Sequence, residues 1–127
     1  MSILNEKIYK NDGVKGIELY NNPSGTNGDV TLNDSVANYS YIEIYGYANG
    51  YYTSHKTAAF SGQNITIHNQ YNIGHLLVIT TTRYTLNGTS IIVDVSNSGY
   101  ATINTSNVAG LSEGTNYFNI TKVIGYK

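Results

Sequence analysis

The chain has 127 residues and a mass of 13.9 kDa, with 7 basic and 8 acidic side chains, a net charge of -1 and no cysteine. That balance lacks the basic field a phosphate backbone requires, which argues against nucleic acid as a partner, and without thiols there is no disulfide framework, thiolate metal site or cysteine nucleophile. No apolar run approaches the roughly 20 residues of a membrane-spanning helix, and the first residues show no basic-then-apolar leader pattern, so no membrane insertion is expected.

Apolar residues make up 40% of the chain and charged residues only 12%. Asn, Thr, Ser and Gly supply the remaining polar surface. β-branched and aromatic side chains fit a pleated sheet, and Asn and Gly fit its corners, so strands and turns are predicted and little helix. A single domain over residues 1–127 is expected at this length. Ile3, Leu4, Ile8 and Tyr9 mark a first strand or arm closing at the turn signal Asn11-Asp12-Gly13. Gly16 to Tyr20 reads as a strand with Ile17 and Leu19 on one face, and residues 21–28 as a loop holding the only proline, Pro23. Val30 and Leu32 then alternate with polar neighbours up to a corner at Asn33, Asp34 and Ser35. Beyond it, Tyr39, Tyr41, Glu43, Tyr45 and Tyr47 alternate with Ile42, Ile44 and Gly46. Period two on both sides of a polar cluster predicts strand, corner, strand, with Ile42 and Ile44 in the core and a tyrosine stripe outside.

Ala48-Asn49-Gly50 is expected to turn Tyr41–Tyr47 back onto Tyr51–Thr57. Ser61-Gly62-Gln63 interrupts again, Ile65 and Ile67 alternate with Asn64, Thr66 and His68, and residues 69–74 read as a polar connection holding Tyr71. His75 to Tyr84 is the most continuous strand. Leu76, Leu77, Val78 and Ile79 make it apolar on both faces, which places it centrally in a sheet or at a subunit contact. Asn87-Gly88 predicts a type I′ turn pairing His75–Leu86 with Thr89–Val95, whose core face is Ile91, Val93 and Val95. A further turn at Asn97-Ser98-Gly99 leads to Tyr100–Thr105, and a loop over residues 110–116 to a last strand, Tyr117–Tyr126. Short strands with turns at this spacing predict an antiparallel β-sandwich of jelly-roll type.

Several stretches carry a resemblance: Glu18-Leu19-Tyr20 before the turn at residues 21–25, Val30 to Ser35, Asn38 to Tyr45, the hairpin-like Tyr84 to Ile91, and the ending Phe118 to Lys127. Together they resemble the C-terminal β-domain of tail-fibre, baseplate and minor structural proteins of phages and prophages of Gram-positive bacteria. The resemblance implies a homotrimer, a stalk entering at residues 1–12, and a place on the virion and outside the cell after host lysis. It also implies non-catalytic adhesion to a host cell-wall polysaccharide or teichoic acid. A purely structural, trimerising tail or neck module is implied equally, and a free-standing carbohydrate-binding module is the third alternative.

Residues able to carry chemistry are few. His55, His68 and His75 are the only imidazoles and stand at no metal-site spacing. Glu43 and Asp94 are not placed by sequence at a glycosidase separation, and Asp94 is expected to meet Lys56 or Arg83 across a sheet. No Gly-x-Ser-x-Gly elbow occurs. Asp29, Asn33 and Asp34 offer oxygens to calcium but match no EF-hand loop, and read first as an Asx corner. The expectation is therefore no enzyme, no cofactor and no metal. Tyrosine is what rises above background, with 13 in the chain against no tryptophan. Its ring stacks on sugar C–H faces while its hydroxyl donates or accepts, although the same rings also stabilise sheets as cross-strand pairs. Tyr45, Tyr47, Tyr51 and Tyr52 flank one turn and, with His55, form the candidate ligand site.

Overall fold

Alternation of apolar and polar residues persists through nearly the whole described chain, which in the computed structural model comprises residues 9–11, 14–104 and 108–127. The strands are β1 (Tyr9–Asn11), β2 (Val14–Thr26), β3 (Val30–Thr31), β4 (Tyr41–Ala48), β5 (Tyr51–Ala58), β6 (Asn64–Ile73), β7 (Leu76–Asn87), β8 (Ser90–Ile103), β9 (Val108–Glu113) and β10 (Asn119–Tyr126). One sheet has the order β1-β2-β10-β4-β5 and the other β3-β8-β7-β6, with β9 also pairing to β8. Every pairing is antiparallel, as expected for a sandwich. The central position expected for the strand of Leu76–Ile79 is also observed, since β7 lies between β6 and β8. Of the expected first arm, Ile3, Leu4, Ile8 and the Asp12-Gly13 turn fall outside the described residues.

The corner at residues 33–35 carries the chain from one sheet to the other. Ser35 caps a single 3₁₀ turn, Val36–Asn38, by accepting from the Ala37 amide at 3.2 Å. Asp34 Oδ1 accepts from the Ser35 amide and from Asn38 Nδ2, both at 2.8 Å, and its Oδ2 accepts from the Tyr39 hydroxyl at 2.9 Å. These donors, Asn38 and Tyr39 foremost, hold the Asp34 carboxyl below its usual range. Burial, followed by the adjacent carboxylate, pushes the Tyr39 phenol up to about 12. Side-chain bonds to nearby backbone are what make short polar residues corner formers.

Several boundaries differ from the sequence expectation because ladder pairing overrides local turn chemistry. The expected loop at residues 21–28 is strand as far as Thr26: between partners Lys122 and Ile120 of β10 the chain of β2 advances from Asn21 to Thr26, and this bulge accommodates Pro23, which has no amide to donate. Residues 69–73, read as a connection, continue β6. The hairpin to β7 is instead a two-residue Gly74-His75 loop between the paired Ile73 and Leu76. The next hairpin turns at Gly88-Thr89, not Asn87-Gly88, because Asn87 pairs with Ser90 and only Gly88 takes a positive φ. That pattern fits a Gly-first II′ loop. Nor is there a turn at residues 97–99. β8 runs on, bulging between Asp94 and Gly99, and the bulge turns Val95 outward to 43% exposure while Ile91 stays in the core. The expected loop at residues 110–116 begins as β9.

The core draws on both sheets. Leu19, Ile42, Ile44, Phe118, Ile120 and Val123 from the first meet Val30, Ile65, Ile67, Tyr84, Leu86 and Ile91 from the second, all buried. Each such aliphatic side chain contributes about 1.5–3 kcal/mol by leaving water. Gly46 is required where β4 meets this core: a Cβ there would stand 2.5 Å from Phe118 Cζ and 2.2 Å from the Asn119 carbonyl oxygen. The Phe118 ring thus packs directly against the backbone of β4. Replacing it, Phe118→Ala, is expected to cost about 3–5 kcal/mol, measured as a lower urea midpoint at constant slope; a loss under about 1 kcal/mol would show that the ring is not a core anchor.

Candidate functional site

The β4–β5 hairpin decides where the predicted site residues go. Asn49 and Gly50 both take positive φ, 50° and 78°, as a type I′ turn demands, so Ala48 pairs with Tyr51 and Tyr47 with Tyr52. Side chains then alternate: Tyr45, Tyr47 and Tyr52 stand on the outer face of the first sheet, whereas Tyr51 and His55 lie on the opposite side. The five residues are not gathered into one site.

On the outer face most rings already have partners. The Tyr45 hydroxyl donates to Glu43 Oε1 at 2.8 Å, and Tyr126 reaches the same oxygen at 3.5 Å. Burial, reinforced by the Glu43 charge, raises the Tyr126 phenol above its ordinary range. Tyr41 and Tyr126 stack at 4.8 Å, with the Lys56 ammonium 5.0 Å from the Tyr41 ring and the Lys122 ammonium 5.6 Å from Tyr45. Tyr47 donates to the Ser24 carbonyl at 2.7 Å, and its ring lies so close to Gly25 (φ 88°) that a Cβ there would come within 2.9 Å. It also meets Tyr52 at 5.1 Å. Only Tyr52, 70% exposed, has a largely open face.

A different set of rings converges on the far side, beyond the main core. The tight Gly74-His75 loop puts Tyr71 opposite Val78, and Val78 is opposite Thr102 of β8. Tyr71 stacks on Tyr51 at 4.6 Å with the planes 1° apart. Tyr100 of β8 meets Tyr117 edge-on at 5.1 Å and 87°. Between these two ring pairs lies a groove of about 420 Å³, lined by Asn49, Tyr71, Ile73, Val78, Thr80, Tyr100, Thr102 and Tyr117. Its volume is within the roughly 300–1,000 Å³ of small-ligand sites. Burial raises the Tyr71 phenol; the Asn49 amide opposes the shift, and the neighbouring phenols of Tyr51, Tyr117 and Tyr100 add to it.

The segment leading into β10 sets the wall of this groove. Asn27 Nδ2 donates to the carbonyls of Asn116 at 2.9 Å and Phe118 at 3.0 Å, clamping the chain on either side of Tyr117. Asn116 Oδ1 accepts from Thr82 Oγ1 at 3.1 Å and from the Phe118 amide at 2.9 Å. Tyr117 therefore faces the groove while Phe118 enters the core. Two other depressions, each about 410 Å³, gather no comparable set of rings: one lies on the outer face of the second sheet beside Ile79, Ala101 and Leu111, the other beside Tyr52 and His68.

Ionisable groups are spent on structure. Arg83 Nε approaches Asp94 Oδ2 at 3.9 Å, as one of the two expected pairings, and Asn97 and Ser96 hold the Asp94 carboxyl below its usual range. Asp29 Oδ1 accepts from the Val93 amide at 2.9 Å. Among the described residues no three His, Asp or Glu side chains gather as a metal site would require. None of the groove tyrosines Tyr71, Tyr100 and Tyr117 belongs to the expected cluster at Tyr45, Tyr47, Tyr51 and Tyr52, and Tyr71 lies on β6 where a connection is expected. The continuing alternation Ile65, Ile67, Asn69, Tyr71, Ile73 is the signal that places Tyr71 on a strand. No protein-family model matches the chain, and no curated protein shows significant similarity to it.

His55 is half-buried, and burial first, then the charge of nearby His68, lowers its pKa from the ordinary 6.5. The unfolded chain therefore takes up a proton at higher pH than the folded one, so this contribution to stability is complete above about pH 6.5 and is lost as pH falls below it. The thermal midpoint is expected to drop between pH 7.5 and 5 more steeply in the wild type than in His55→Gln. Equal slopes would remove His55 from the pH response.

Proposed function

We propose that this domain is a non-catalytic saccharide-binding adhesion module, carried in several copies on a phage tail or related particle, with the Tyr71–Tyr100–Tyr117 groove as its ligand site. The observation that carries the reading is the convergence of those rings, from three separate segments, around a groove edged by hydroxyls and the Asn49 amide. A pyranose presents C–H faces that stack on phenol rings and hydroxyls that meet amides and phenols. Among the described residues the lining holds no carboxylate or imidazole, so they offer ligand contacts without an acid/base pair. Placement on a tail rests on the motifs at Glu18–Tyr20, Val30–Tyr45 and the C-terminal ending, which resemble phage tail domains.

A single shallow groove binds weakly, and several linked copies raise avidity by orders of magnitude. Assembly as a trimer rests on the same resemblance, and the outer face of the second sheet offers the copies a meeting surface in Leu77, Ile79, Ala101 and Leu111. Register brings Ile79, Ala101 and Leu111 into one row, and Leu111 is 74% exposed. The second reading, a structural trimerising module without a ligand, draws on this same face.

Tyr71→Ala and Tyr117→Ala are each expected to weaken binding to purified Gram-positive cell walls about tenfold or more, with far-ultraviolet circular dichroism unchanged, whereas Tyr52→Ala on the other face leaves binding intact. Wall binding indifferent to both groove variants would refute the site. Light scattering is expected to give a mass near three times 13.9 kDa, and Ile79→Lys a monomer or insoluble chain. A well-folded Ile79→Lys trimer would remove that face from the interface.

A further inference from the structure

We infer that the groove selects an uncharged pyranoside bearing a methyl-terminated substituent, such as an N-acetyl group or a 6-deoxy carbon, and rejects anionic sugar phosphates and uronic acids. The inference rests on the saccharide reading above and specifies its ligand class.

Charge complementarity is the first argument. Among the described residues the lining contains no Lys, Arg, His, Asp or Glu. A phosphate or carboxylate entering it would shed water without gaining a counter-ion, a desolvation that neutral hydroxyls repay poorly. The negative faces of the phenol rings oppose an anion further. Basic side chains near aromatic rings do occur in this chain, but Lys56 and Lys122 stand over Tyr41 and Tyr45 on the outer face of the first sheet.

Shape is the second argument. Tyr71 is backed on one face by the parallel Tyr51 ring, the centroids 4.6 Å and the planes 1° apart, and so forms a stiff platform. Tyr100 and Tyr117, mutually perpendicular, form a wall. Between platform and wall the floor is Val78, in register with Tyr71 and Thr102, with Ile73 at the rim. Val78 is 5% exposed and Ile73 51%. A sugar ring stacked on Tyr71 would thus meet Val78 flanked by Thr80 and Thr102, the Thr80 hydroxyl already donating to the Asn69 carbonyl at 3.5 Å, and the methyl groups of this floor reward a methyl-bearing substituent. Asn49, at the turn beside the groove, supplies a donor and an acceptor suited to hydroxyls or an acetamide.

The test is titration of the intact protein, followed by tyrosine fluorescence and calorimetry, with methyl glycosides of N-acetylglucosamine, rhamnose, glucose and glucuronic acid, with glycerol phosphate, and with tetramethylammonium. The methyl-bearing neutral sugars are expected to bind roughly tenfold or more tighter than glucose, independently of salt between 50 and 500 mM, with glucuronate and glycerol phosphate not binding. Val78→Thr, close to isosteric, is expected to shrink the preference for the methyl-bearing sugars while glucose binding stays constant. Tighter binding of an anionic ligand, weakened by salt and abolished by Tyr71→Ala, would overturn this inference and leave the saccharide reading standing. Tetramethylammonium binding in preference to every sugar would assign the rings to a cation cage and overturn it too. Failure of all the sugars, charged and neutral, together with unimpaired wall binding by Tyr71→Ala, would defeat the saccharide site itself.

Discussion

Strand β10 hydrogen-bonds to β2 on one side and to β4 on the other, so the two halves of the first sheet are joined through the last strand of the chain. Tyr126 pairs with Gly16 and Lys122 with Asn21, contacts across most of the chain length. Closing such long loops adds only about 0.6 kcal/mol per doubling of length, but it makes folding dependent on non-local pairing. Much else depends on this insertion. Ile120 and Val123 complete the core, the Phe118 ring seals against Gly46, and the approach to the strand, clamped by Asn27, brings Tyr117 to the groove.

Tyrosine serves two purposes in this fold, and the difference lies in what surrounds the hydroxyl. On the outer face of the first sheet the phenols of Tyr45, Tyr47 and Tyr126 are bonded to Glu43 or to the Ser24 carbonyl, and rings are paired with one another or with lysines. Those contacts hold sheet and bulge together. Deeper in the molecule, Tyr84 is fully buried; burial pushes its phenol far up, and the Asn116 side chain beside it opposes the shift. The groove rings are intermediate: Tyr71 stacks on Tyr51, Tyr100 meets Tyr117 edge-on, and the Tyr117 hydroxyl lies 3.3 Å from Ser112 Oγ. A domain without disulfides gains rigidity from the first group, whereas the last lines the groove.

Local pattern made much of the architecture legible. Alternation at Ile42, Ile44, Ile65 and Ile67 identified strands and the faces they bury, the corner residues Asp34 and Ser35 announced their own side-chain bonds, and Asn49-Gly50 announced a two-residue turn. The bulges in β2 and β8 left no comparable trace. Pro23 and the run Ser96–Gly99 carry turn chemistry, yet ladder bonds on either side keep both segments in strands, and a bulge then moves Val95 from the expected core face to the surface. Propensity is a local preference of about 1 kcal/mol across its whole scale, which a run of paired backbone groups outweighs.

The candidate site shows the same division more sharply. Sequence by itself determined that this is an all-β chain rich in tyrosine and poor in charge, and that tyrosines crowd the turn at Asn49-Gly50. Which of them share a surface was decided only by tertiary structure. Neighbours in sequence on a strand point to opposite faces, so Tyr51 and Tyr52 separate, one to Tyr71 and the other to Tyr47. Tyr71, Tyr100 and Tyr117 come together from β6, β8 and the approach to β10, because inter-strand register and the insertion of the last strand align them. Period two is written into the sequence residue by residue, whereas register is a property of paired backbones.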